Sequence, residues 1–168
     1  LEQDPNNTRY LTQLGDLFKM VQDWDAARNA YEKARETDPA NFMVQERLGD
    51  LRLAEMDEEI KTLAAQGGNE DRLKTLREER TQLALEEYQK RAKARPQDFP
   101  TRYKLANILF QLGRFKDAAT QYQHAARDPK TRRIATFRLG QCLEKQGLLD
   151  LAIEQYQKAA AGASVVSQ

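Results

Sequence analysis

Gly113-Arg-Phe-Lys-Asp-Ala-Ala-Thr-Gln-Tyr-Gln-His-Ala-Ala-Arg-Asp-Pro129 recurs in register as Gly147-Leu-Leu-Asp-Leu-Ala-Ile-Glu-Gln-Tyr-Gln-Lys-Ala-Ala160. The offset is 34 residues and carries Gly113 onto Gly147, Ala118 onto Ala152, Tyr122 onto Tyr156 and Ala125 onto Ala159. A third copy near the start places Trp24, Ala27, Tyr31 and Ala34 in the same relative positions, with Pro39 within one residue of its counterpart. A fixed period of this length decides the architecture, because each unit buries its apolar face only by stacking on its neighbours.

Around this repeat the composition is that of an all-helical chain. Prolines number five, glycine is scarce, and Ala, Leu, Glu, Lys, Arg and Gln are abundant. The net charge is +1, which argues against a dedicated nucleic-acid or membrane surface. No run of about 18 apolar residues exists to span a bilayer. A single cysteine rules out an internal disulfide and leaves the redox compartment, and with it the localisation, open. The chain begins at Leu1 and not at Met, and Asp4-Pro5-Asn6-Asn7 matches the turn Asp38-Pro39-Ala40-Asn41 that closes a repeat. It therefore reads as an excised fragment with at least one further repeat before it.

In this register four repeats follow, at about 8–41, 42–98, 99–132 and 133–166. In repeat 1, Leu11, Leu14, Gly15 and Phe18 fall at i, i+3, i+4 and i+7, one face of a helix. Asp23 is placed to cap the second helix, whose Trp24 and Tyr31 read as core residues. Repeat 2 departs from the pattern. Tyr31 to Tyr88 is 57 residues, which exceeds the period by 23. The extra residues carry Leu51, Met56, Ile60 and Leu63 before Gly67-Gly68-Asn69, then Leu73, Leu76, Leu83 and Leu85. We expect both helices to run on, to roughly 42–66 and 70–95, as an antiparallel hairpin projecting about 15 Å beyond its neighbours. Its many charges read as a solvated surface held by i,i+4 pairs, with a partner contact or self-association at the tip as the alternative. In repeat 3, Asp98 caps the first helix and Pro100 sits in its first turn. After Ala161 the residues are too weakly amphipathic for a polar capping helix, so both ends are expected to be uncapped and open to self-association.

Catalytic and metal-binding constellations are lacking. His124 is the only histidine, so a site needing two is excluded, and it reads as a partly exposed surface residue. Cys142 stands where the other repeats have Leu17, Leu51 and Ile108, which makes it a small buried apolar residue and not a nucleophile. Gly67-Gly68 is too short for a phosphate cradle. The basic pairs Arg132-Arg133 and Lys90-Arg91 are balanced by nearby acids. No enzyme activity, cofactor or metal is implied.

The register, with Gly15, Gly49, Ala106 and Gly140 in one position and Tyr31, Tyr88, Tyr122 and Tyr156 in another, resembles the tetratricopeptide repeat over nearly the whole chain. The resemblance implies an all-α, right-handed superhelix of antiparallel helix pairs, with small residues such as Gly15 and Ala27 where paired helices approach. It also implies a concave groove lined by the first helices, which binds a protein or peptide segment. Carried over by position, the groove consists of Arg9, Thr12, Asp16 and Lys19, then Met43, Glu46, Asp50 and Leu53. Repeats 3 and 4 add Tyr103, Lys104, Asn107 and Phe110, then Ile134, Phe137, Arg138 and Gln141. The first half is polar and acidic, the second aromatic; those aromatics fit either partner anchors or packing against the next repeat. Thr12 and Asp16 occupy the places of the first Lys and Asn of the carboxylate clamp found in chaperone-type members, so carboxylate capture is not implied. The function expected is a non-catalytic protein–protein interaction scaffold. The alternatives are a structural module that stacks end to end, and a regulatory module of a larger enzyme or sensor.

Overall fold

The computed structural model describes residues 7–67 and 69–161. The proposed tail of an earlier repeat (residues 1–6), Gly68 and the stretch after Ala161 lie outside the described residues. Among those described, eight helices occur: α1 Thr8–Met20, α2 Trp24–Thr37, α3 Phe42–Ala65, α4 Glu70–Ala94, α5 Phe99–Gln111, α6 Phe115–Ala125, α7 Arg132–Lys145 and α8 Leu149–Ala161. They divide between two compact units, Leu1–Leu83 and Ala84–Gln168, with the division falling inside α4.

In the first unit the helix starts are written in the sequence. Asn7 Oδ1 accepts from the N–H groups of Arg9 and Tyr10, and Asp23 Oδ1 from that of Ala26. Asn41 Oδ1 does the same for Met43 and Val44, and Asn69 Oδ1 for Arg72, satisfying donors that the first turn of a helix leaves open. Gly67, at φ 67°, ends α3 in the left-handed region. The core joins α2 to α3: Ala27, Tyr31 and Ala34 pack with Val44, Leu48, Leu51 and Leu11. α1 lies so close to α2 that a Cβ on Gly15 would sit 2.4 Å from Tyr31 Cε1.

Charges on α3 and α4 pair both along each helix, as Lys61 does with Glu58 and Lys90 with Glu87, each at 3.2 Å, and across the pair. Arg80 makes a two-pronged contact with Asp57 at 2.8 and 2.9 Å, and Arg72 Nη2 reaches Glu59 at 3.4 Å. Partner numbers fall on α4 as they rise on α3, so the two helices run antiparallel. Each such exposed pair contributes about 0–1 kcal/mol. Leu73 and Leu76, both nearly fully buried, supply the apolar contact of α4.

In the second unit, Asp98 Oδ1 accepts from the Thr101 N–H and Pro100 occupies the first turn of α5, where a missing donor costs little. Ala106, Ala118, Ala125, Ala135 and Cys142 are wholly buried, together with Tyr122 at 1% exposure. α7 and α8 meet at Gly140, where a Cβ would lie 2.6 Å from Tyr156 Cε1.

The turns after α1, α5 and α7 are one motif used three times. Gly113 and Gly147 adopt φ of 72° and 77°, and the following N–H reaches back across the turn: Arg114 to Leu109 and Leu148 to Leu143, each at 2.9 Å. In the first repeat the same bond runs from Asp23 to Phe18 at 3.0 Å, but the left-handed position is held by Gln22, at φ 61°. A side chain at this position is strained, because its Cβ crowds the backbone.

Candidate functional site

The candidate site is the face presented by the first helix of each pair, and each unit is described by itself. In the first unit α1 and α3 border an open cleft of about 470 Å³ lined by Thr8, Arg9, Thr12, Gln13, Asp16, Asn41, Met43 and Arg47. Of the residues expected in a groove, Arg9, Thr12, Asp16 and Met43 meet here. Arg9 and Met43 are exposed, Met43 by 59%. Thr12 is buried, and its hydroxyl donates to the Thr8 carbonyl at 2.7 Å. Lys19, Glu46 and Asp50 are half-buried, and Leu53 is buried.

Asp16 ties three helices together. Its Oδ1 accepts the Tyr31 hydroxyl at 2.7 Å and stands 2.8 Å from Arg47 Nε. Burial, then the Asp16 carboxylate, hold the Tyr31 phenol well above its ordinary range. Arg47 faces an acid and so adds no net charge to the cleft. The register held the signal for Arg47, since Arg138 is its counterpart two repeats on, but the groove positions carried over from the resemblance did not include it.

In the second unit Tyr103 and Phe110 of α5 and Phe137 of α7 each touch an aromatic of the helix that follows. Tyr103 meets Tyr122 edge-on at 5.7 Å, Phe110 meets Phe115 at 5.2 Å, and Phe137 lies 5.4 Å from Tyr156. Tyr103 and Phe110 are thereby half-buried, whereas Phe137 and Ile134 remain 41% and 43% exposed. Asn107 Oδ1 accepts the Tyr122 hydroxyl at 2.6 Å, the place that Asp16 fills in the first unit. A neutral amide therefore stands where the first unit has a carboxylate. Arg138 donates from Nη1 to Gln141 Oε1 at 3.0 Å, and its buried Nε has no hydrogen-bond partner among the described residues.

No group of three His, Cys, Asp or Glu side chains among the described residues is placed to hold a metal. Cys142 is fully buried, and burial pushes its thiol up to about 11. Burial, then Arg102 and Arg127, hold the His124 imidazole below its ordinary value. No helix among the described residues is long and apolar enough to cross a membrane.

The sequence profile of the tetratricopeptide repeat matches residues 12–65 and 103–165. Among solved structures, a crystal structure of MamA superposes with a TM-score of 0.64 at 20% identity, over 98% of this chain and 82% of that one. MamA from residue 41 onward, from Desulfovibrio magneticus RS-1, gives 0.63 at 17% identity, over 98% and 80% of the two chains. YrrB, described as a TPR protein with an unusual peptide-binding site, gives 0.51 at 17% identity, over 94% and 87%. No curated protein matches the sequence. Likeness at these identities speaks for the fold alone, which is an all-α helical solenoid of the tetratricopeptide type.

Proposed function

This chain belongs to the tetratricopeptide repeat family and is accordingly a protein-interaction scaffold, and we propose that its first-helix faces bind an extended peptide carrying an acidic residue beside bulky apolar ones. The observation that carries this reading is Arg138. Its counterpart Arg47 is neutralised by Asp16, but in the second unit the equivalent of Asp16 is Asn107, whose acceptor oxygen is taken by Tyr122. Arg138 thus offers a guanidinium with no acidic partner among the described residues, one turn from the exposed Ile134 and next to the exposed Phe137. A carboxylate arriving there would gain a charge-assisted contact, and apolar side chains would cover Ile134 and Phe137. YrrB, a TPR protein with a peptide-binding site, offers a parallel on the same fold.

The test is selection of random peptides displayed on phage against the immobilised chain. Enriched sequences should hold Asp or Glu next to large apolar residues. Their synthetic versions should bind at least tenfold more weakly to Arg138→Gln, a loss of about 1.4 kcal/mol. The double variant Ile134→Ala with Phe137→Ala should weaken binding at least as much. Failure to enrich any sequence, or enrichment indifferent to all three substitutions, defeats the proposal.

A further inference from the structure

A further cleft, of about 370 Å³, opens in the second unit between α4, α5 and α6. Ala92, Leu105 and Leu109, all buried, form the apolar part of its lining. The polar part is Gln89 and Lys93 from α4, Arg102 from α5, and Thr120 and Gln121 from α6. Arg102, Leu105 and Leu109 lie at i, i+3 and i+7 of α5, and none is among the positions expected to line the peptide groove.

The charges in this cleft do not cancel. Arg114 and Asp117 satisfy each other, with Arg114 Nε and Nη2 both donating to Asp117 Oδ2, at 2.9 and 2.7 Å. Lys93, exposed, has no acidic partner among the described residues. Arg102 uses two of its donors on neutral acceptors: Nε on the Pro96 carbonyl at 3.2 Å and Nη1 on Gln121 Oε1 at 2.8 Å. These bonds fix the guanidinium and leave its Nη2 without a hydrogen-bond partner among the described residues. They also orient the Gln121 amide, whose NH2 remains a donor.

The surplus charge is particular to this repeat. The register carries Gln89 and Lys93 onto Glu32 and Glu36 of the first repeat, and Arg102 onto Gln45 of the second. Gln45 makes the same backbone contact, its Nε2 donating to the Pro39 carbonyl at 3.0 Å. That contact needs only a neutral donor, so the fold does not require the positive charge of Arg102.

We propose that this cleft binds a phosphate monoester, the dianion of a phosphorylated side chain. At neutral pH such a group carries a charge of about −1.5 to −2, which matches two unopposed cations. Its terminal oxygens accept from Lys93, Arg102 Nη2 and the Gln121 amide. A carboxylate brings a single charge and leaves one cation unmet. The cavity falls within the range of ligand pockets, roughly 300–1,000 Å³, and so has room for the group that bears the phosphate.

Isothermal titration calorimetry of the whole chain in phosphate-free buffer tests this. The probes are phosphoserine blocked at both ends, inorganic phosphate, and aspartate blocked in the same way. Blocked phosphoserine should bind saturably and at least as tightly as inorganic phosphate, and blocked aspartate about tenfold more weakly. Arg102→Gln and Lys93→Gln should each weaken phosphoserine binding about tenfold, the loss expected of one charge-assisted contact. Gln45 shows that glutamine can hold the turn, so circular dichroism should find Arg102→Gln folded; should it melt early, Lys93→Gln carries the test alone. Lys74→Gln, exposed elsewhere on α4, should change nothing. A chain that binds none of the probes overturns the proposal. So does binding that both cleft substitutions leave intact, or that Lys74→Gln weakens as much, which would mean diffuse attraction. Inorganic phosphate bound without phosphoserine would mean a free anion, and aspartate bound as tightly as phosphoserine an acidic side chain; either result overturns it.

Discussion

Tyr31 and Tyr156 are the same residue of the repeat in two surroundings. Each ring lies over a glycine sixteen positions earlier, and each hydroxyl donates to a carboxylate: Tyr31 to Asp16 at 2.7 Å and Tyr156 to Glu144 at 2.5 Å. Yet Tyr31 has no exposed surface, whereas Tyr156 is only half-buried. The difference is α3, which closes over Tyr31; no described helix does so for Tyr156. The motif within a repeat places the ring and covers most of it, and the next repeat removes the exposure that remains. Stability in such an array resides largely at the junctions.

The largest test of this contrast removes the rings. Tyr31→Ala should cost about 3–5 kcal/mol, the range for emptying a packed aromatic site. Tyr156→Ala should cost half of that or less, measured by urea unfolding at low micromolar concentration. Equal losses would place the stabilisation inside the helix pair and refute the contrast.

Next in size is the glycine beneath each ring. Gly15→Ala pushes a methyl into a ring that is walled in. Overpacking of about 1–3 kcal/mol then outweighs a helix-propensity gain of about 1 kcal/mol, and the protein is destabilised. Gly140→Ala meets a ring with solvent on one side that can swing outward, so its effect should be near zero. Thermal melts of the two variants decide between these outcomes.

Smaller still is the turn. Gln22→Gly should stabilise by about 0.5–1 kcal/mol, since it relieves a left-handed side chain at a modest entropic cost. Gly147→Ala should destabilise by about 1 kcal/mol for the converse reason. The same sign for both substitutions would mean that φ is not what distinguishes the turns.

The weakest signal is alkaline pH. Burial holds Tyr31 and Tyr122 above the ordinary phenol range, Tyr156 at about 12 and Cys142 at about 11. The folded chain grips these protons more tightly than the unfolded one. The associated stability is therefore complete below the unfolded thiol and phenol values and is lost as pH rises through the folded ones. The urea midpoint should stay flat near neutrality and fall above about pH 9. Tyr31→Phe should shallow that fall more than Tyr156→Phe, because its phenol is the more strongly displaced.

The helices and their register were legible because the signals are local. Asn41 and Asp98 cap where a short polar side chain precedes an apolar run, and Gly15 and Gly140 stand where the paired helix needs room. The site was legible only as positions. That Thr12 turns inward to its own helix, or that the rings of Tyr103, Phe110 and Phe137 lean on the following helix, depends on packing that no spacing encodes. The charge of Arg138 needed two facts at once, an Asn in place of an Asp and a tyrosine occupying that Asn. Gln22 escaped because left-handed turns are read from glycine, and here the hydrogen bonds of the turn hold a residue that dislikes it.

Cys142 makes the junction between α6 and α7 self-reporting. It is the chain's one cysteine, and it lies fully buried in α7. A thiol-reactive dye can reach it only when α7 lifts away from its neighbours, so the labelling rate clocks that opening in the unaltered protein. Any occupant of the first-helix face that steadies α7 should slow the clock, and its affinity could be followed without a tag, a fluorophore or a substitution.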